Sequence, residues 1–331
     1  MGTDKIYESQ VIEKHSKTGT QLVEVGTDVA GQRVDNFLIS YLKGVPKSHI
    51  YRLVRTGQVR VNKGRVKVQY RLRPGDLIRV PPVVWSPSSL GPEDALETRA
   101  MGRRLEKQVI YEDAWLLVIN KPAGMPVHGG SGLSGGVIES LRLIRPEAKE
   151  WELVHRLDKD TSGCLLIAKR KSVLRTLHQE FREDQVDKRY LAMLAGIWEG
   201  QRQLVDLPLR KYVLRGGERL VQAHPQGKPA RTEFIKRGQG SDATLVEARL
   251  LTGRTHQIRV HATWMGHPIV GDARYGDDEV NLRFRRRGLK RLFLHAWRLA
   301  FAHPVSGVLV SLEAPLERGL VNWLKREGYW K

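Results

Sequence analysis

Nine residues, His155-Arg156-Leu157-Asp158-Lys159-Asp160-Thr161-Ser162-Gly163, hold the densest chemistry in the chain. Two carboxylates and two cations share the five positions from Arg156 to Asp160. A carboxylate beside a cation is favoured in its ionised form and can serve as a base or a nucleophile. The plainer reading of the same residues is an Asx-turn closed by Asp158 or Asp160. A second candidate is Gly132-Leu133-Ser134-Gly135-Gly136, which satisfies the G-x-S-x-G pattern of a serine hydrolase, with His155 and Asp158 downstream. That pattern needs a strand running straight into the serine, and a triad in the order serine, acid, histidine. Glycines and serines surround Ser134 instead, and the order is serine, histidine, acid, so a Gly-rich loop ahead of a helix at 137–145 is the better reading. A third candidate is the set His256, His261 and His267, which invites a metal. No Cys or carboxylate completes a zinc set at the usual spacings, so no metal is expected.

Elements must hold these groups in place. Glu152-Leu153-Val154 and Cys164-Leu165-Leu166-Ile167-Ala168 flank the nine-residue string as short buried strands, with the string as their loop. Val109–Tyr111 and Leu116–Lys121 form a hairpin, and Ser172 caps a helix carrying Leu174, Leu177 and Phe181. Lys188–Leu194 is a strand, in which Tyr190 reads most simply as half-buried packing. Residues 200–232 read as loop-rich. Thr244–Leu251 is a strand, and Thr255 N-caps a helix that places Arg259 one turn inside and ends at Pro268. Leu292–Ala296 and Val308–Leu312 extend the sheet, and Leu320–Tyr329 is a short amphipathic helix. Strands and helices do not alternate strictly, which predicts an α+β fold with a mixed, largely antiparallel sheet.

Composition sets the partners. A chain of 331 residues suggests two domains, and 40% hydrophobic residues suffice for a core. A net charge of +20 points to a polyanion, with nucleic acid first. No apolar run of about 18 residues offers a membrane span. Neither a secretion signal nor a cysteine pair is present, since Cys164 is the single cysteine, and a cytoplasmic location is expected. Residues 1–26 read as a flexible lead-in. Within 27–82, Val34, Phe37, Leu38, Tyr41 and Leu42 recur at helical spacing. Ser48 N-caps a second helix, and Val59–Val66 reads as strand, turn and strand. From Ala30 to Pro82 there are 12 Lys and Arg against 2 Asp and Glu, half the excess charge of the chain. Lys47, Arg52, Arg55 and Arg60 are the RNA-contacting candidates there. Residues 83–106, which follow Pro82 and hold Pro87 and Pro92 with no clear period, read as a linker. A second basic block, Arg283, Arg285, Arg286, Arg287, Lys290 and Arg291, reads as a phosphate-contacting loop.

The nine-residue string resembles the signature loop of the pseudouridine synthases that act on large-subunit (23S) ribosomal RNA, the RluA family. Asn120-Lys121-Pro122-Ala123-Gly124 with His128-Gly129-Gly130 resembles that family's first motif. Thr252-Gly253-Arg254-Thr255-His256-Gln257-Ile258-Arg259-Val260-His261 resembles its third. The likeness runs over nearly the whole chain and is closest to the RluC-type branch. The resemblance implies a catalytic domain at 107–331 and a small module at 27–82 similar to an S-four-like RNA-binding domain. It implies isomerisation of uridine to pseudouridine with Asp158 as the catalytic carboxylate, Tyr190 against the target base and Arg259 as the basic partner of the acid. Arg156, His155, Arg254, His256 and Gln257 would meet the RNA around them. No atom is gained or lost in this reaction, so neither a cofactor, a nucleotide nor a metal is expected. The partner would be 23S ribosomal RNA or a large-subunit assembly particle, met by a monomer. The competing reading is a non-catalytic RNA-binding or ribosome-assembly factor with the same basic surfaces.

Overall fold

The computed structural model describes residues 19–42, 45, 47–83, 92–129, 135–213 and 219–330. The chain divides into two units between Ala95 and Leu96.

In the first unit, β1 (Gln21–Glu24), α1 (Val34–Tyr41), α2 (Lys47–Arg55), β2 (Arg60–Val61) and β3 (Leu77–Val80) follow in order. The strands form a three-stranded antiparallel sheet, β1-β3-β2. Val34, Leu38, Ile50, Leu53, Val54, Leu72 and Ile78 fill one core. The helix begins at Lys47, so Ser48 lies inside α2 and is not its cap. Asn62 and Lys63 both take φ > 0, at 50° and 65°, which turns the chain back at once. β2 then pairs with β3, and Val66 joins no strand. Between Ala30 and Pro82 the two acids are internal, whereas Glu24 of β1 is exposed. Asp35 is 1% exposed under Arg33, and Asp76 is 5% exposed beneath Asn62 and Tyr70. The outer surface of that segment is therefore left to the cations, among them the exposed Arg52, Arg55 and Arg60. The Lys47 side chain lies outside the described residues.

The division falls within α3 (Pro92–Glu106), most of which belongs to the second unit and lies where the sequence predicts linker. Thr98, Gly102 and Leu105 form its buried stripe. Two of the three are not apolar, so no hydrophobic period is visible. There follow β4 (Val109–Glu112), β5 (Leu116–Lys121), α4 (Val137–Ile144), β6 (Glu152–Leu153), β7 (Ser162–Ala168), α5 (Lys171–Arg182) and β8 (Asp187–Ala195). The chain continues through β9 (Arg202–Asp206), β10 (Leu209–Val213), β11 (Arg219–Ala223), β12 (Arg231–Gln239) and β13 (Ala243–Leu250). Last come α6 (Gln257–Trp264), α7 (Asp278–Arg286), β14 (Leu294–Ala302), β15 (Leu309–Glu313) and α8 (Arg318–Arg326). Residues 200–232 are thus largely strand. The cap of α5 is Arg170, and Ser172 lies within the helix.

Ten strands join one sheet in the order β4-β5-β7-β14-β8-β13-β12-β9, with β15 on β14 and β6 on β7. It is mixed and mostly antiparallel: β14 and β7 run parallel at His295–Ser162 and Ala296–Gly163, and the other pairs run antiparallel. Both faces are buried. Leu117 and Ile119 of β5 enter one core, and Leu116 and Val118 enter another on the opposite face. Tyr190, Ala192 and Leu194 of β8 share the first core with Leu157, Ile258 and Leu294. That face carries the site.

Candidate active site

The loop at 154–161 leaves β6 and returns as β7, which brings Asp158 to the surface above the first core while Leu157 stays buried. Arg259 arrives from α6, 101 residues on, and donates Nη1–H to Asp158 Oδ2 at 3.1 Å. Its other donors grip Asp272: Nε to Oδ2 and Nη2 to Oδ1, both at 2.7 Å. Paired contacts of this kind fix a guanidinium in direction as well as distance. Asp272 is fully enclosed, and its Oδ1 also accepts from the Arg274 and Tyr275 backbone N–H groups at 2.9 and 3.1 Å. Those bonds and Arg259 outweigh burial and hold its carboxyl below the usual range. Arg259 is pushed above its ordinary value by the two carboxylates, against the opposing effect of burial. It also lies over the Tyr275 ring, 4.9 Å from the centroid.

His256 sets the angle of α6. It caps the helix in the left-handed region, at φ 54° and ψ 18°, a role the sequence reading gives to Thr255. Its Nε2 stands 3.7 Å from Asp158 Oδ2, and its Nδ1 meets the Tyr275 hydroxyl at 2.8 Å. Burial, with Arg259 and Arg274 nearby, lowers its pKa despite the pull of Asp158.

Two cavities meet at Asp158. The smaller, about 670 Å³, is lined by Asp158, Tyr190, Arg259, His256, Arg254 and Arg156 among others. The larger, about 1730 Å³, is an open cleft that shares Arg156, Asp158, His256 and Arg259. It carries the exposed cations Arg104, Lys107, Arg285, Lys290 and Arg318. Tyr190 is 9% exposed, and burial followed by the Asp158 charge raises its hydroxyl pKa. The structure therefore brings Asp158, Tyr190 and Arg259 together, with Arg156, His256 and Arg254 around them.

Two residues proposed as RNA contacts, Gln257 and His155, line the smaller cavity and also make hydrogen bonds within the protein. Gln257 is 2% exposed. Its Nε2 donates to Arg231 O and Thr232 Oγ1, and its Oε1 accepts from Thr252 Oγ1 and the Arg254 N–H. His155 accepts the Leu166 N–H on Nε2 at 3.1 Å and stacks on Phe181 with centroids 5.1 Å apart. Both residues build the frame, because their polar atoms close the loops that carry Arg259 and Asp158. The basic block at 283–291 is divided too. Arg287 bonds Asp242 at 2.8 Å and Glu327 at 2.8 Å, and Arg291 donates to Ser162 Oγ at 2.6 Å. The acids that claim Arg287 are distant in sequence, which is why the block reads as free. Gly130 to Ser134, and with them the candidate hydrolase serine, lie outside the described residues.

The metal reading finds no support among the described residues, where no group of three or more His, Cys, Asp or Glu could hold an ion. His261 bonds Thr232 Oγ1 and Leu207 O, and His267 bonds Ala195 O, each away from His256.

Sequence reasoning missed two residues. Asp272 orients Arg259. Its only outward signal is the glycine-bounded turn Gly271–Gly276, with Gly271 at φ +81°. Lys121 is 0% exposed, and its Nζ donates to Pro122 O, Met125 O and Lys159 O at 2.7 to 2.9 Å. It ties the loop of Asp158 to the end of β5, and burial takes it down to about 7.

The RNA pseudouridylate synthase family model matches residues 115–264, and the S4 domain model matches residues 32–78. Ribosomal large subunit pseudouridine synthase C of Pasteurella multocida is 50% identical over 305 residues, 92% of this chain and 93% of that protein. The protein of the same name from Escherichia coli K12 is 48% identical over 321 residues, 95% of this chain and 98% of its own. Among solved structures, human RNA pseudouridylate synthase domain containing 4 superposes with a TM-score of 0.60 at 26% identity, over 71% of this chain and 98% of that one. With half its positions shared over nine-tenths of its length, and the matched synthase model spanning Asp158, Tyr190 and Arg259, the chain belongs to the RNA pseudouridylate synthase family.

Proposed function

We propose that the protein isomerises specific uridines of 23S ribosomal RNA to pseudouridine, acting as a monomer in the cytoplasm without cofactor, nucleotide or metal. The observation that carries this reading is the chain Asp272–Arg259–Asp158, set at the wall of the cavity that holds Tyr190. A uridine in folded RNA must leave its stack at a cost of a few kcal/mol. Tyr190 offers it a ring face, worth about 1–3 kcal/mol per stacked base, and the basic surfaces hold the backbone. Arg156, exposed at the edge of both cavities, fills the space the base vacates. Asp158 then works on the sugar, either attacking the anomeric carbon or taking the 2′ proton. Both routes break the bond to the base nitrogen and leave the uracil free to turn and rejoin through its C5 carbon, after which the C5 proton leaves and the freed nitrogen carries one; in the second route the 2′ proton is also returned to the sugar. Arg259 holds the carboxylate in place through both halves, and Arg254 and His256 meet the RNA at the rim.

The test is to incubate the protein with unmodified large-subunit ribosomal RNA, free and in assembly particles, and to map pseudouridine. New pseudouridine at defined positions supports the reading. Tight binding with none formed would favour the non-catalytic assembly factor.

A further inference from the structure

Strand alternation puts Lys188 and Tyr190 on the same face of β8. Lys188 is 7% exposed and lines the smaller cavity. Its Nζ lies 5.5 Å from the Phe181 ring centroid, and its ion-pair partner Asp184 Oδ1 stands at 4.0 Å, beyond hydrogen-bond length. An ammonium has three donors, and burying them without acceptors is costly. Lys121 shows the satisfied case, with a carbonyl for each donor. Lys188 has no hydrogen-bond acceptor among the described residues, and its Nζ is not fully enclosed, so the ammonium can be reached from the cavity that Lys188 lines. Burial lowers its pKa, opposed by Asp184 and Asp187 and aided by Arg254. Arg254 lines the same cavity and, among the described residues, donates from its side chain through Nε, to Pro229 O at 3.0 Å. Arg182 adds another exposed cation there. The uracil ring is uncharged and supplies no anion for them, whereas the strand that carries it does.

We propose that Lys188, together with Arg254, binds a phosphate of the substrate strand beside the uridine packed on Tyr190. The cavity, about 670 Å³, lies within the usual range of ligand sites, about 300–1,000 Å³. A phosphodiester oxygen completes the missing hydrogen bonds of the ammonium and offsets the repulsion from Arg254. Lys188 thus fixes which part of the strand enters the cavity, and Asp158 acts on the nucleotide so placed.

The experiment compares wild type, Lys188→Met and Lys188→Arg, with KM and kcat for pseudouridine formation on unmodified large-subunit ribosomal RNA followed across KCl concentrations. Lys188→Met keeps the stem and loses the charge, so its KM should rise and the salt slope of log KM should flatten by about 0.7 to 0.9, the share of a single phosphate. Lys188→Arg should keep the wild-type slope, and Lys188→Met should melt no lower than wild type, because the ammonium lost has only a 4.0 Å ion pair to Asp184 and no hydrogen-bond acceptor among the described residues. An unchanged slope in Lys188→Met, an equal loss in Lys188→Arg, or a Lys188→Met chain that melts several degrees lower or does not fold overturns the assignment. The inference rests on the proposed reaction. Wild-type protein that forms no pseudouridine defeats the reaction itself, whereas an active, salt-dependent wild type beside an unchanged Lys188→Met defeats the phosphate contact alone.

Discussion

Tyr190 belongs both to the core and to the wall of the candidate site. It is 9% exposed in the core that also holds Leu157 and Ile258, and it still lines the cavity beside Asp158. Tyr190→Phe keeps the ring face and should keep RNA affinity. Tyr190→Ala should lose the stacking contribution as well, roughly 1–3 kcal/mol. Equal affinities of the two variants for large-subunit ribosomal RNA would remove Tyr190 as the base platform. The buried histidines predict a pH dependence of stability. His155 accepts the Leu166 N–H at Nε2. His295 meets Ser162 Oγ at Nδ1 and donates from Nε2 to Ala314 O. Each therefore needs a neutral ring, and burial brings each down to about 4 from an ordinary 6.5. Between those values the unfolded chain binds more protons, so stability rises with pH. It is fully present above about 6.5 and is lost as pH falls through about 4. Melting temperature should fall as pH drops from 6.5 to 4.5, and His155→Gln, which keeps an acceptor for Leu166, should flatten the fall. Parallel curves for the two proteins would contradict the assignment.

At the scale of elements, the parallel junction of β7 and β14 is the floor of the site. Gly163 sits there at φ +111°, and a Cβ on it would lie 2.2 Å from Ala296 O. Gly163→Ala should therefore destabilise the protein by about 1–3 kcal/mol, read as a lowered denaturant midpoint. A midpoint equal to that of wild type would show that the strands can part without cost. The strands flanking Asp158 were legible because β7 is apolar from Gly163 to Ala168, and all of Ser162 to Ala168 is buried. The strand carrying Tyr190 and the helix carrying Arg259 were legible for similar reasons. The α3 helix was not, since Thr98 and Gly102 make up its buried stripe. Gly102 is needed there because a Cβ would meet Ser140 O at 2.7 Å. Residues 200–232 were misread because β9 and β10 interleave exposed charges such as Arg202 and Arg210 with their packed positions. Asp272 stayed hidden because its meaning depends on Arg259, which only the folded chain sets beside it.

At the scale of the whole molecule, charge is the organising quantity. A net +20 is spread over both units, and in the first the only two acids between Ala30 and Pro82 are buried. Deleting residues 1 to 84 should weaken RNA binding and flatten its salt dependence, by about 0.7 to 0.9 for every phosphate that the first unit neutralises. The reacting residues should remain competent at high enzyme concentration. Binding of a large-subunit ribosomal RNA fragment across salt concentrations checks this, and an unchanged slope would mean that the first unit does not touch RNA. In the proposed reaction the second unit binds through its positive surfaces, and the chemistry rests on one carboxylate, Asp158, which Arg259 holds. Asp158→Asn keeps the shape and removes the charge. The most direct measurement is therefore pseudouridine formation in unmodified large-subunit ribosomal RNA by wild type and Asp158→Asn, with RNA affinity measured beside it. Asp158→Asn should bind as wild type does and form no pseudouridine. A variant that keeps more than about a tenth of the wild-type rate, a barrier change under about 1.4 kcal/mol, would contradict Asp158 as the catalytic carboxylate.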